Sequence, residues 1–277
     1  MSADLHVHTT FSDGTCRPEE VVELAKKNGL TKLAITDHDV VDGIDLARKK
    51  GEELGIEIIP GIELTTEAMD SEIHILGYFI DDHSPKLLET IIQIQRAREK
   101  RIFKICEKLK NLGVEIDPEK VFFLAGHRAA GRPHVARVLI EEGYVRDVRE
   151  AFNRYLDFHG PAYVSHYKLS PEEAIKLIIA AGGVAVFGHP AVSNCDQIIP
   201  DLMVAGLKGI ETYYSGHDQG QTQHYLNLAK KYGLLVTGGT DYHGSRSGRE
   251  IDIGAISVPD EAVEKLRAAS HEHLRGN

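Results

Sequence analysis

Histidines and carboxylates recur in this chain where strands should end, and that combination points to chemistry assisted by metal ions. His6 and His8 lie in ADLHVH, spaced so that an extended backbone turns both rings to one face. Asp37 and His38 follow KLAIT, Glu63 closes EIIPGIEL and His74 opens HILGYF. Further on, His189 closes VAVFGHP, Glu211 lies in GIETYY, and Asp241 and His243 close LLVTGGTD. One histidine among 15 is ordinarily a core or surface group. A set of six beside several acids at strand ends is costly to bury unless something compensates the charge. Divalent cations remove that cost, and neutral imidazole with carboxylate suits manganese, iron or zinc.

The elements that must carry these residues alternate. Pro18 opens a helix that Gly29 closes, and a second helix over about 44–54 ends at Gly55. With the strands around them this gives β-α-β-α-β order, the pattern of a largely parallel sheet or barrel, in which strand C-termini form the active face. From 85 to 112 one long helix is expected, with Ile102, Ile105, Leu109 and Leu112 at helical spacing. Its other face carries Arg96, Arg98, Lys100, Arg101 and Lys104, read here as a solvated surface. Helices near 133–142 and 147–155 complete a segment poor in strand signals. The expected division is therefore a barrel from 1–83 and 161–277, with an α-helical insertion over 84–160. After Tyr163 the α/β rhythm resumes: the capping box Ser170-Pro171-Glu172-Glu173 starts a helix. Strands VAVF, GIETYY, LLVTGG and IGAISV follow, with helices between them and a last one after Pro259.

Composition excludes several classes. At 277 residues and 42% hydrophobic the chain can bury a large core. It has no apolar run of membrane-spanning length and no visible signal peptide. Cys16, Cys106 and Cys195 form neither a CxxC nor an even framework, which argues against thiolate metal sites and for a reduced, cytoplasmic setting. A net charge of −10 disfavours long duplex nucleic acid but leaves room for a short anionic substrate at a locally positive site. His127, His271 and His273 fall outside the pattern and are expected at the surface.

The motifs HVHTTFSDG, ITDHD, PGIELTT, HILGYF, FGHP and GGTDYHG, in this order, resemble those of the PHP (polymerase and histidinol phosphatase) superfamily. GRPHVARVL, GPAYV and KLSPEEAI are similar to a subgroup of nucleotide-directed phosphoesterases. Those act on nucleoside 3′,5′-bisphosphates or AMP and, as 5′→3′ exoribonucleases, on short RNA. The resemblance implies a distorted (β/α)7 TIM-like barrel with the helical insertion as a substrate cap. It also implies two or three divalent ions, with manganese favoured over iron or zinc. By position, His6, His8, Glu63 and Asp241 match the ligands of a first ion, and Glu63 with His74 and His189 those of a second. Asp13, His38 and His243 match a third. The implied nucleophile is a water activated by the ions, with Glu63 and Asp241 as ligands that position the cluster. Two positions depart from the pattern: FGHP stands where smaller residues commonly precede the histidine, and His166 occupies a position where another type is usual.

Arg132 and His134 in GRPH are the leading candidates for a second phosphate, because a guanidinium fork suits that group. The alternative for Arg132 is a salt bridge within the insertion. Lys168, His217 and Arg246 are further substrate candidates, and Asp37 and Glu211 are candidates to orient ligand histidines. The expected activity is hydrolysis of a phosphate ester on a nucleotide or short single-stranded RNA. The rivals are a small-molecule phosphatase, such as one for histidinol phosphate, and a non-catalytic metal-bound scaffold.

Overall fold

The computed structural model describes residues 2–69, 71–126, 129–165, 169–244 and 251–275. Its strands are β1 (Ser2–Asp4), β2 (Lys32–Ile35), β3 (Glu57–Ala68), β4 (Ser71–Tyr78), β5 (Val184–Phe187), β6 (Gly209–Tyr214), β7 (Leu235–Gly239) and β8 (Val258–Pro259). They form one sheet in the order β7-β6-β5-β4-β3-β2-β1-β8. The pairs β1–β2, β2–β3, β5–β6 and β6–β7 are parallel, whereas β4 runs antiparallel to both β3 and β5. The sheet nearly closes on itself. Beyond β1 the chain stays extended, and Leu5 N donates to Gly238 O at 3.2 Å and His8 N to Tyr242 O at 2.9 Å. The result is a nearly closed α/β barrel of the kind the motifs implied, with eight strands once the two-residue β8 beside β1 is included. IGAISV does not form the expected strand: only Val258 of it pairs, with Ala3, and 251–257 is turn and loop.

Helices cover the outside: α1 (Pro18–Lys27), α2 (Ile44–Leu54), α3 (Pro85–Asn111), α4 (Pro118–Leu124), α5 (Arg132–Glu141), α6 (Val148–Ala151), α7 (Pro171–Ala180), α8 (Pro190–Ser193), α9 (Ile199–Ala205), α10 (Gln219–Tyr232) and α11 (Asp260–Arg275). Local chemistry sets their ends. α1 starts at Pro18 with Glu19 and Glu20 in its first turn, and Lys26 and Lys27 sit in its last. At α7, Ser170 Oγ accepts from Glu173 N while the Glu173 carboxylate accepts from Ser170 N, the reciprocal cap read from the sequence. The 118–124 helix was not expected, because PEKVFFL is too short to show a period. The expected 147–155 helix is α6 followed by a π-helical turn over 152–156.

Three apolar clusters organise the chain. Inside the barrel, Ala3, Leu5, Ile59, Leu76, Tyr78, Val184 and Val186 pack together and are closed at one end by Val263 and Leu266 of α11. The Tyr78 hydroxyl donates to Leu5 O at 3.0 Å, so even this interior phenol is satisfied. A second cluster lies between the strands and the outer helices. A third sits within α3–α6, around Ile102, Ile105, Leu109, Val121, Val135 and Leu139. Helix α3 belongs to both of these last two: Leu87, Ile91 and Ile94 pack in the barrel layer, and Ile102, Ile105 and Leu109 in the helical one. Among the described residues no helix is long and apolar enough to cross a membrane.

Closure of the barrel leaves no room at Gly239. A Cβ there would lie 2.4 Å from His6 N and 2.5 Å from His6 Cβ. Gly239→Ala must therefore push β7 away from the extended segment that carries His6 and His8. It should lower stability by about 1–3 kcal/mol, the usual cost of overpacking. Urea unfolding monitored by circular dichroism checks this, and an unchanged midpoint would show that the seam is not tight.

Candidate metal centre

The site gathers at one rim of the barrel. Val7 is clamped on both sides: its N and O bond Thr36, and it bridges Tyr242 in parallel register. This pins the backbone that carries His6 and His8, and both rings are completely buried. The β3–β4 hairpin runs on past the barrel, so Glu63 and His74 lie within strands rather than at strand ends as the sequence suggested. The isolated bridge between His38 and Glu63 brings the end of β2 alongside. His189 and Asp241 both adopt positive φ, 25° and 53°. Such strain in non-glycine residues persists where the surroundings hold it, commonly at functional sites.

Glu63 is the hub. Its Oε1 lies 2.6 Å from His74 Nδ1 and 3.0 Å from His189 Nε2. Its Oε2 lies 3.1 Å from His6 Nε2, 3.0 Å from His8 Nε2 and 3.3 Å from His38 Nδ1. The two oxygens thus face two different sets of nitrogens. Asp241 Oδ1 lies 3.1 Å from His8 Nε2 and 3.5 Å from His6 Nε2, and the Tyr214 hydroxyl donates to its Oδ2 at 3.0 Å. Asp13 Oδ1 lies 3.2 Å from His243 Nε2 and 3.9 Å from His8 Nδ1.

Three groups of donors converge here, each with its candidate ligand atoms within 4.8 Å of one another: His6, His8, Glu63, Asp241; His38, Glu63, His74; and His8, Asp13, His38, His243. Atoms around one ion at about 2.1 Å lie up to roughly 4.2 Å apart, so small adjustments suffice. The first group is the set expected for one ion. In the other two, His38 sits between sets, and His189 reaches Glu63 without joining the tighter cluster.

The donors fit divalent cations. His8 Nε2 is buried with no hydrogen-bond partner, although two carboxylates face it. Electrostatics show the same need for positive charge. Burial pulls the His8 imidazole down, but Asp241 and Glu63 outweigh it and push it up to about 10. Burial is likewise outweighed at His74, which Glu63 and Glu72 push up to about 9. Burial raises the Glu63 carboxyl, yet His38, His6 and His74 hold it well below the usual range. His38 goes the other way: burial pushes it down to about 3, and the nearby His8 and His74 add to this. Imidazole and carboxylate without thiolate suits manganese, iron or zinc.

Supporting contacts fix these donors. Glu211 Oε1 lies 3.1 Å from His6 Nδ1, which leaves Nε2 facing the site, and its Oε2 accepts from His189 N at 2.7 Å. Asp37 touches no ligand imidazole. It accepts from Thr9 N, Thr9 Oγ1 and Ser12 Oγ at 2.6–2.7 Å and so holds the His8–Asp13 turn. Ser12 Oγ in turn lies 3.5 Å from His8 Nδ1.

Above the histidines lies a cavity of about 300 Å³, with Arg98, Arg101 and Arg132 on its wall. Arg132 pairs with Glu72 at 2.9 Å, donates to Leu156 O and lies over the Phe152 and Tyr163 rings. Two substrate candidates are not brought to this wall. His134 is buried and accepts from Gly131 N at 3.2 Å, capping α5, and burial pushes its pKa down to about 4. His217 Nδ1 lies 3.0 Å from Thr212 O and its ring stacks on Tyr225. Lys168, Arg246, His166 and His127 lie outside the described residues, as do the side chains of His271 and His273.

The solvated-face reading of α3 is overturned for two residues. Arg98 and Arg101 are buried, at 7% and 4% exposure. Arg98 Nε donates to Asp39 Oδ2 at 2.9 Å and its Nη2 to Thr65 Oγ1 at 3.0 Å. Arg101 Nε donates to Val164 O at 2.6 Å and its guanidinium lies over the Tyr163 ring, while its buried Nη2 has no hydrogen-bond partner among the described residues. The signal was in the sequence: positions 94, 98, 101, 102, 105 and 109 follow one helical stripe, so these arginines interrupt the apolar face instead of opposing it.

With this geometry in view, similarity to known proteins becomes informative. The PHP domain profile matches residues 4–165. The chain belongs to the PHP domain family. It is 36% identical over 266 residues to a 5′-3′ exoribonuclease of Haemophilus influenzae, covering 92% of this chain and 96% of that protein. It is 31% identical over 257 residues to a 3′,5′-nucleoside bisphosphate phosphatase of Chromobacterium violaceum, covering 91% and 90%. A solved structure from Bifidobacterium adolescentis, described as a metal-dependent phosphoesterase, superposes with a TM-score of 0.88 at 30% identity, covering 95% of this chain and 94% of that one. The fold is thus that of a PHP domain.

Because ligand atoms converge only in the folded state, ions should stabilise it. Manganese at about 100 times its dissociation constant should add about 2.7 kcal/mol, seen as a raised melting midpoint that a chelator reverses. Glu63→Gln should lose most of that gain. A wild-type midpoint indifferent to both manganese and chelator would contradict the assignment.

Proposed function

We propose that this protein hydrolyses phosphate esters of nucleotides, taking nucleoside 3′,5′-bisphosphates or AMP, and short 5′-phosphorylated RNA in the 5′→3′ direction. The observation that carries the reading is the Glu63 carboxylate, which turns one oxygen to His74 and His189 and the other to His6, His8 and His38, on the floor of a cavity walled by arginines. His6, His8, Glu63 and Asp241 would hold one ion, Glu63 with His74 and His189 a second, and Asp13, His38 and His243 a third. Manganese is the proposed metal. When bound, the ions would supply Lewis-acid stabilisation of the phosphoryl charge and an activated water.

The residues of the chain divide the remaining work. Glu63 spans two donor sets and so fixes their spacing. Glu211 fixes the tautomer of His6, and Tyr214 fixes the orientation of Asp241. Arg132 and Arg101 offer guanidinium groups to a second phosphate, and the Arg101 Nη2, which has no hydrogen-bond partner among the described residues, favours an incoming anion. A cavity of about 300 Å³ suits one nucleotide. Residues 84–160 would act as the cap that supplies this wall. The three cysteines are free, in keeping with a reducing, cytoplasmic compartment.

Steady-state kinetics on AMP, a nucleoside 3′,5′-bisphosphate and a 5′-phosphorylated oligoribonucleotide test the reading. Wild type should turn over the doubly phosphorylated substrates best, and Glu63→Gln should lose at least ~100-fold on all of them. Arg132→Ala should raise KM for the bisphosphate and affect AMP less, with a loss in kcat/KM on the order of 10–100-fold for one charge-assisted contact. Because that variant also removes the Arg132–Glu72 ion pair, Glu72→Gln serves as the control and should keep the bisphosphate preference. Equal losses on AMP and bisphosphate would show that Arg132 does not read the second phosphate.

A further inference from the structure

Helix α3 has a cationic side that the catalytic cavity does not use. Arg96, Lys100, Lys104 and Lys108 are exposed and follow one another at intervals of four residues, about 6 Å of helix rise per step. Among the described residues, no ion pair engages any of the four, and Lys108 Nζ donates to Tyr163 O. Glu99 and Glu107 flank the stripe, three residues from Arg96 and from Lys104, but among the described residues neither forms an ion pair with it. Arg96, Lys100 and Lys104 line a groove of about 390 Å³ together with Gln93, Ser165 and Arg101, and among the described residues no carboxylate lines it. Arg101 also lines the catalytic cavity, so groove and cavity share one wall residue. In a chain of net charge −10 this is a local reversal of sign.

We infer that this groove is the track for the backbone of a single-stranded RNA whose 5′ end occupies the cavity. The inference rests on the phosphoesterase reading and adds to it the site that separates an oligomer from a mononucleotide. The groove and the cavity share Arg101 as a wall residue, so a strand too long for the cavity would emerge beside the cationic side of α3. The cations are evenly stepped along a helix, which suits a repeating phosphodiester and carries no base code. Lysines at exposed positions grip a polyanion through charge alone, so binding should be salt-dependent and indifferent to sequence. A mononucleotide, held wholly inside, should not sense them.

The test compares wild type with Lys100→Glu/Lys104→Glu and with Lys100→Gln/Lys104→Gln, all exposed changes whose folding is checked by thermal melting. Each is assayed on a nucleoside 3′,5′-bisphosphate and on a 5′-phosphorylated pentaribonucleotide. Binding of the fluorescent pentamer is also followed by anisotropy with metal chelated. The charge reversal should raise KM for the pentamer on the order of 10-fold and leave the bisphosphate unchanged. The neutral variant should flatten the plot of log affinity against log salt by about 0.7 for each phosphate that a lysine no longer neutralises. Unchanged pentamer kinetics and salt slope would overturn the track, as would equal losses on both substrates. If wild type cleaves the bisphosphate but neither binds nor cleaves the pentamer, the track falls and the phosphoesterase reading stands. If wild type cleaves neither, both fall.

Discussion

A carboxylate buried against five imidazole nitrogens is the constraint on which this structure turns. Glu63 is fully removed from solvent, and an isolated carboxylate there would be untenable. It is tolerable because His6, His8, His38, His74 and His189 surround it within 3.3 Å. The arrangement in turn depends on strand geometry. The bridge to His38 fixes Glu63 against β2, and the ladder to β4 pairs Thr65 with His74, two residues further along the hairpin. Closure of the barrel then presents His6 and His8 from the opposite side. Shifting β3 by one residue would turn Glu63 to the other face and leave five imidazoles without their carboxylate.

A second buried charge couples the helical layer to this rim. Arg98 sits in α3 between Ile94, which packs in the barrel layer, and Ile102, which packs in the helical one. Its guanidinium meets Asp39, immediately after His38, and Asp39 also accepts from Thr65 N. The helix that enters the helical layer therefore also reaches the backbone that carries His38 and the middle of β3. A buried pair of this kind contributes little net stability, but removing one partner leaves an uncompensated charge. Its effect is to fix where α3 crosses the mouth of the barrel, and thereby where Arg101 and the cationic groove outside it begin.

Much of this was legible in the residue order. Alternation in ADLHVH placed His6 and His8 on one face, helix punctuation placed α1, α2 and α7 closely, and the order of motifs implied the barrel. What escaped has identifiable causes. Glu63 and His74 looked like strand ends because nothing local shows that a hairpin will continue beyond a barrel rim. Tyr214 and Asp4 gave no signal, because their partners are distant: Asp241 for Tyr214, and for Asp4 the amides of Thr240 and Gly254 with the Thr240 hydroxyl. Arg98 and Arg101 were misread because charge was weighed above periodicity on α3. His134 was taken for a substrate contact because its motif flanks Arg132, yet three residues into a helix the same ring is well placed to cap it.

The account stands or falls on whether Glu63 bridges two ions. A crystal grown with manganese and measured on both sides of the manganese absorption edge locates each ion independently of the protein map. Separate anomalous peaks are expected on the two sides of the Glu63 carboxylate, one beside His6, His8 and Asp241 and one beside His74 and His189, with a third near Asp13, His38 and His243. A single peak on one Glu63 oxygen, or peaks only outside this cluster, would contradict it.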